Sequence, residues 1–256
     1  MSERHGRAMH DGRPHWVRAV AEDWAICTGA PWEGGEPTEV HVPSAALVAP
    51  VAPSKVLCIG RNYAAHAAEL GNEVPTTPLI FLKPPSAIIG PGQPIELPPA
   101  SERVEHEAEL GVVLGAAVPR DATPDEAAAA IFGFTCVNDV TARDIQRAEN
   151  KFTRAKGFDT FCPVGPWITT GLDPRDLEVR CVVSGQERQR GRTRQMIFDV
   201  PTIVAFLSTV MMLLPGDLVA TGTPEGVGPL TDGDSVTVTV EGVGALTSPV
   251  VRRAAR

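Results

Sequence analysis

Between Val104 and Gly115 the chain reads VEHEAELGVVLG, and this stretch limits the fold most tightly. Acids stand at alternate positions, Glu105, Glu107 and Glu109, and the run then turns apolar through Val112, Val113 and Leu114. Alternate side chains of a strand share a face, so Glu107 and Glu109 point the same way. Adjacent carboxylates repel, and burying them is costly without a compensating cation. Two readings are open. The acids line the solvated face of an edge strand, or they sit at one end of a strand that runs into the core.

The rest of the chain is rich in strand patterns. KVLCIG (55–60) and PLIFLK (78–83) are continuous apolar runs, and FGFTCVN (132–138) is another. LEVRCVVSG (177–185) leads into an Arg-rich segment, and SVTVTVEGVGALTSPV alternates strictly around a Gly-containing turn, as a hairpin does. Helix signals are few and separate. RNYAAHAAEL makes a short helix. In TPDEAAAAI, Thr123 is the cap, Pro124 suits the first turn and Glu126 completes a capping box. VTARDIQRAEN (140–150) and an apolar run from Pro201 through Leu213 are the others. This order predicts an α+β fold with a mixed sheet, not repeated βαβ units. Residues 1–50 hold the strand-like WVRAV and WAICTG and the turn-rich PWEGGEP. They read as a small β-rich appendage, ahead of a main domain over 51–256.

Composition narrows the partners. A net charge of −8 does not fit a duplex nucleic-acid surface, which needs clustered Lys and Arg. The five cysteines are scattered, with no CxxC pair, so neither a disulfide framework nor a zinc knuckle is expected. The most apolar stretch, Ile203 to Leu214, is too short for a bilayer, which takes about 20 residues. The first twenty residues lack an apolar signal core. The expectation is a cytoplasmic protein without membrane or nucleic-acid contacts.

Chemistry has several candidate carriers. Asp139 follows the strand FGFTCVN, either as a turn or cap residue or as a third carboxylate beside Glu107 and Glu109. Three carboxylates would prefer Mg²⁺, Mn²⁺ or Ca²⁺ over zinc and leave coordination positions open. His66 and Glu69 are three apart on a helix, either a surface pair or a base with its orienting carboxylate. Arg143 and Gln146 share the same spacing and either face solvent or grip a substrate carboxylate. Lys156 lies in RAKGFDTFCPVGP, read as a loop, either solvated or close to the metal. Thr223 lies in the Gly- and Thr-rich TGTPEGVGPL, either a tight connection or an anion cradle. No GxGxxG or Walker loop is present.

Six blocks in order, IGRNYAAHAAELG (59–71), PLIFLKPPSAIIGPG (78–92), VEHEAELGVVLG (104–115), GFTCVNDVTARDIQ (133–146), KGFDTFCPVGPW (156–167) and PGDLVATGTPEGVGP (215–229), resemble the fumarylacetoacetate hydrolase family. The resemblance spans about residues 55 to 250. It implies the family's β-rich roll, a homodimer, and a divalent cation, Mg²⁺ or Mn²⁺, on Glu107, Glu109 and Asp139. It implies His66 and Glu69 as the pair that activates water, with the stretch around His66 acting as a lid that orders on ligand. Lys156 joins the catalytic groups, and Arg143, Gln146, Thr223 and Lys83 the substrate-binding ones. The implied reaction is hydrolysis of the C–C bond of an acylpyruvate, a 2,4-dioxo acid. Isomerisation of an unsaturated 2-hydroxy-dioate and decarboxylation of oxaloacetate are alternatives on the same site. A non-catalytic binding module is a further alternative, which the full set of ligands, base and cations disfavours. Residues 1–50 match nothing specific in that pattern, and His106 stands where relatives often carry an aromatic.

Overall fold

A computed structural model describes residues 2–71, 73–149 and 151–254. The expected α+β architecture is present, with many strands and few short helices. The central sheet runs, strand by strand, Pro37–Val42, Asp23–Cys27, Arg13–Val20, Arg4–His10, Cys162–Thr169, Ile131–Asn138, Ala108–Leu114, Leu218–Ala220, Val56–Gly60 and Leu79–Lys83. A second sheet orders Gln186–Arg192, Glu178–Val183, Ser235–Val240, Gly244–Arg252 and Ile95–Leu97. It packs on Ala108–Leu114, Ile131–Asn138 and Cys162–Thr169. Leu110, Val112, Leu114, Phe134, Cys136, Val179, Val236 and Val238 close the core between them.

Ala108–Leu114 is buried at every position, as its unbroken apolar run requires. Its neighbour Ile131–Asn138 crosses so closely at Gly111 that a Cβ there would stand 2.6 Å from Val137 Cγ2. The two strands are antiparallel, with Ala108 opposite Asn138 and Glu109 opposite Val137. One step beyond that register, the Asp139 N–H donates to the Glu107 carbonyl at 2.9 Å. The register therefore lays Asp139 beside Glu107, with Glu109 two residues along on the same face.

The first fifty residues extend this sheet. Arg4 pairs with Thr169 and His5 with Ile168. Trp24 packs near Trp167, Trp32 meets Phe132, and Ala8, Val17, Trp24, Ile26 and Val42 form a small core of their own. The strand Arg4–His10 was not among the sequence expectations, because RHGRAMH carries no clear alternation.

The helices fall close to their expected places. Pro124–Ala129 carries the capping box, with the Glu126 N–H on Thr123 Oγ1 and the Thr123 N–H on Glu126 Oε2. Ala64–Glu69 and Arg143–Glu149 are short, and Val200–Val210 ends before the expected Leu213. Lys156, read as a loop residue, ends the helix Phe152–Lys156. None of the described helices is long and apolar enough to cross a membrane.

Candidate active site

Carboxylate oxygens of Glu107, Glu109 and Asp139 all lie within 4.8 Å of one another, and all three residues are buried. Register brings Glu107 and Asp139 together, while Glu109 is seated by the loop after Leu218–Ala220. There the Gly222 N–H donates to Glu109 Oε2 at 2.8 Å. Gly222 holds a φ of +97°, and a Cβ on it would stand 2.7 Å from Asn62 Cβ, so glycine is required at this approach.

The three acids differ in their partners. Asp139 accepts from Lys83 Nζ at 2.6 Å and from Lys156 Nζ at 2.5 Å. Glu107 accepts from Lys156 Nζ at 2.9 Å and from the Arg143 guanidinium. Burial would raise the Glu107 carboxyl, but Lys156 and Arg143 outweigh it and hold that group well below the usual carboxylate range. Glu109 touches no side-chain cation among the described residues. Burial, then the charges of Asp139 and Glu107, push its carboxyl far above the ordinary range.

That imbalance is a test of whether a divalent cation fits. Three hard oxygen donors converge, and one of them is a buried carboxylate with only a backbone N–H for company. A divalent ion is the missing charge, and an all-oxygen donor set suits Mg²⁺, Mn²⁺ or Ca²⁺. The residues fit the group.

Around this centre a cavity is lined by Ile59, Arg61, His66, Phe81, Gln146, Arg147, Phe152, Lys156 and Thr223 among others. His66 Nδ1 lies 3.3 Å from Glu69 Oε2, and Glu69 also accepts from the Gly226 N–H at 3.0 Å. The short helix is thereby tied across to the loop TGTPEGVGPL. Arg143 Nε donates to Glu105 Oε2 at 2.7 Å and its Nη1 to Gln146 Oε1 at 2.6 Å. The Lys156 ammonium also lies 4.7 Å from the centre of the Phe81 ring.

Eight of the ten residues singled out from sequence line this cavity, and Glu69 and Lys83 are bonded to residues that do. Lys83 is the exception in kind. It does not line the cavity; it is 1% exposed and spent behind Asp139, on Oδ1 and on the Val140 carbonyl at 3.1 Å. Lys83, expected among the substrate-binding groups, is placed by the structure behind Asp139. Sequence reasoning missed Glu105 as the anchor of Arg143, Arg61 and Arg147 as wall residues, and Gln189, which is bonded to Thr223. Parity with Glu107 was the available signal for Glu105. Gln189 offered none.

The chain matches the family described as "Fumarylacetoacetate (FAA) hydrolase C-terminal" over residues 55–251. It is 54% identical to Protein Rv2993c of Mycobacterium tuberculosis, over 81% of this chain and 79% of that protein. It is 42% identical to "Oxaloacetate tautomerase FAHD1, mitochondrial" of Arabidopsis thaliana, over 78% and 92% respectively. A solved structure titled as 2-hydroxyhepta-2,4-diene-1,7-dioate isomerase from Mycobacterium marinum superposes with a TM-score of 0.91 at 44% identity, covering 99% of this chain and all of that one. Sequence, sheet order and the buried acids agree, and the chain belongs to the fumarylacetoacetate hydrolase family.

Proposed function

We propose that this protein is a divalent-metal-dependent enzyme that shifts a proton on a 2-oxo dicarboxylate, interconverting keto and enol forms of oxaloacetate or a like dioate. One observation carries the reading: Glu109, a buried carboxylate without a side-chain cation, lines the same cavity as His66, which is paired with Glu69. Two further arginines, Arg61 and Arg147, line that cavity and form no ion pair among the described residues, which suits a second carboxylate on the ligand. Relatives named as an oxaloacetate tautomerase and a dioate isomerase agree with a dianionic substrate.

Glu107, Glu109 and Asp139 would hold the ion, which when bound supplies Lewis-acid charge toward a carbonyl oxygen. Glu69 accepts from His66 Nδ1, so the proton stays on that nitrogen and Nε2 is left as the basic one. His66 then takes a proton from the carbon next to the oxo group and delivers it to the oxo oxygen to give the enol, and the reverse transfer restores the keto form. Lys156 and Arg143 set fixed positive charge beside the ligand carboxylate, and Gln146 orients Arg143. Thr223 lines the same cavity.

Hydrolysis of an acylpyruvate is the second reading, supported by the same His66–Glu69 pair acting on water. Products separate the two. With Mg²⁺ added, oxaloacetate should lose its enol absorbance without cleavage, and an acylpyruvate panel should release no pyruvate. Pyruvate plus a carboxylic acid would install hydrolysis instead, and carbon dioxide from oxaloacetate would install decarboxylation. Either activity should fall by about 10²–10⁴-fold in His66→Ala while metal binding survives. A homodimer is part of this reading, supported by the edge strand Leu79–Lys83 with Leu82 exposed, and light scattering tests it.

A further inference from the structure

Gln189 lies on the strand Gln186–Arg192 of the second sheet, away from every acid of the centre in sequence, yet it is 1% exposed and fully bonded. Its Oε1 accepts from the Ala108 N–H at 3.0 Å and meets His106 Nδ1 at 2.9 Å. Its Nε2 donates to the Pro224 carbonyl at 2.7 Å and to Thr223 Oγ1 at 2.8 Å. Thr223 Oγ1 in turn donates to the Ala108 carbonyl at 2.7 Å.

Backbone groups settle the direction of every bond in this chain. An N–H only donates and a carbonyl only accepts, so Ala108 and Pro224 fix which end of the amide is oxygen. His106 must then carry its proton on Nδ1, and its Nε2 is a buried lone pair with no partner among the described residues. Thr223 has given its proton to Ala108 and accepted one from Gln189, which leaves a single lone pair on its hydroxyl. The pairing of Gln186–Arg192 with Glu178–Val183 shifts register between Cys181 and Val182, one residue from Gln189. Such bulges re-aim side chains. The same strand backs the loop directly, since a Cβ on Gly226 would stand 2.1 Å from the Arg188 carbonyl oxygen.

We infer that Gln189 is a positioning residue of the active site: held by His106 and by the Ala108 and Pro224 backbone, it fixes the Thr223 hydroxyl as a hydrogen-bond acceptor toward the cavity. The inference rests on the reading above only in taking Thr223 to meet the ligand.

A double-mutant cycle of Gln189→Glu and Thr223→Val tests it, in Mg²⁺-loaded protein, with kcat/KM on oxaloacetate and the Kd of oxalate as readouts. The carboxylate of Gln189→Glu keeps the volume but cannot donate to Thr223. Each single change should lower kcat/KM about tenfold, a loss of the size found for groups that orient a ligating shell. The pair together should do no worse than either alone, while their effects on the thermal midpoint add. Losses that multiply in kcat/KM would overturn the inference, as would an unaffected Gln189→Glu enzyme. His106→Phe serves if Gln189→Glu does not fold: its smaller loss should vanish in the Thr223→Val background. Wild-type protein that neither turns over oxaloacetate nor binds oxalate would overturn the functional reading instead. The direction of the chain is then still read from the ¹⁵N shifts of His106, where a proton on Nδ1 upholds the inference and a proton on Nε2 ends it.

Discussion

Two regions rest on the same central sheet and are built in opposite ways. The N-terminal extension is held by rings and apolar side chains: Trp24 on Trp167, Trp32 on Phe132, and the cluster Ala8, Val17, Trp24, Ile26 and Val42. Its charges mostly face water. The centre around Glu107, Glu109 and Asp139 instead buries four acids, counting Glu105, against Lys83, Arg143 and Lys156. Apolar packing stabilises with few conditions attached, whereas buried charge is tolerated only while every partner stays in place. An acid left without a cation in the second region is therefore a stronger pointer to a ligand than any exposed residue in the first.

Substitutions should separate the two regions by size and by kind. Asp139→Ala should have the largest effect. It strands two ammonium groups in the interior and should cost about 3–5 kcal/mol of unfolding free energy, as breaking a buried pair does. Chemical denaturation measures it, and a loss below about 1 kcal/mol, the level of an exposed pair, would erase the contrast. Glu109→Gln should behave in the opposite sense. Without metal it should leave the thermal midpoint unchanged or higher, because the neutral amide replaces an acid whose charged form burial and its neighbours disfavour, while the upward shift on adding Mg²⁺ disappears. A midpoint that falls in the metal-free variant would show that Glu109 has another partner.

In the N-terminal extension, Trp24→Phe should cost only about 1–2 kcal/mol, from the smaller ring and the lost Nε1–H bond to Ser44 Oγ at 3.0 Å. Turnover should be unchanged, and a fall in kcat would show the two regions to be coupled. The smallest effect concerns His5. Burial lowers its imidazole below the ordinary 6.5, with Glu3 opposing. The unfolded chain then binds the proton first, so the contribution is complete above about pH 6.5 and is lost as pH falls toward the lower folded value. His5→Phe should flatten that slope in melting curves taken between about pH 5 and 7, and an unaltered slope would assign it to other groups.

Much of the local chemistry was legible in the chain. The capping box of Thr123 and Glu126, the three-residue spacing of His66 and Glu69, and the alternation that puts Glu107 and Glu109 on one face are short-range relations. Periodicity along one element is enough to specify them. The strand-rich order likewise pointed to an α+β sheet fold. What only the tertiary structure decided was convergence. Asp139 meets Glu107 through strand register, Lys156 arrives on a helix read as a loop, Lys83 turns behind Asp139, and Gln189 reaches Thr223 from the second sheet. The docking of Arg4–His10 onto Cys162–Thr169 belongs with these. Each joins residues far apart in sequence, and no local pattern of charge or hydropathy encodes which strand edge or bulge will bring them together; that is settled by packing the whole core at once.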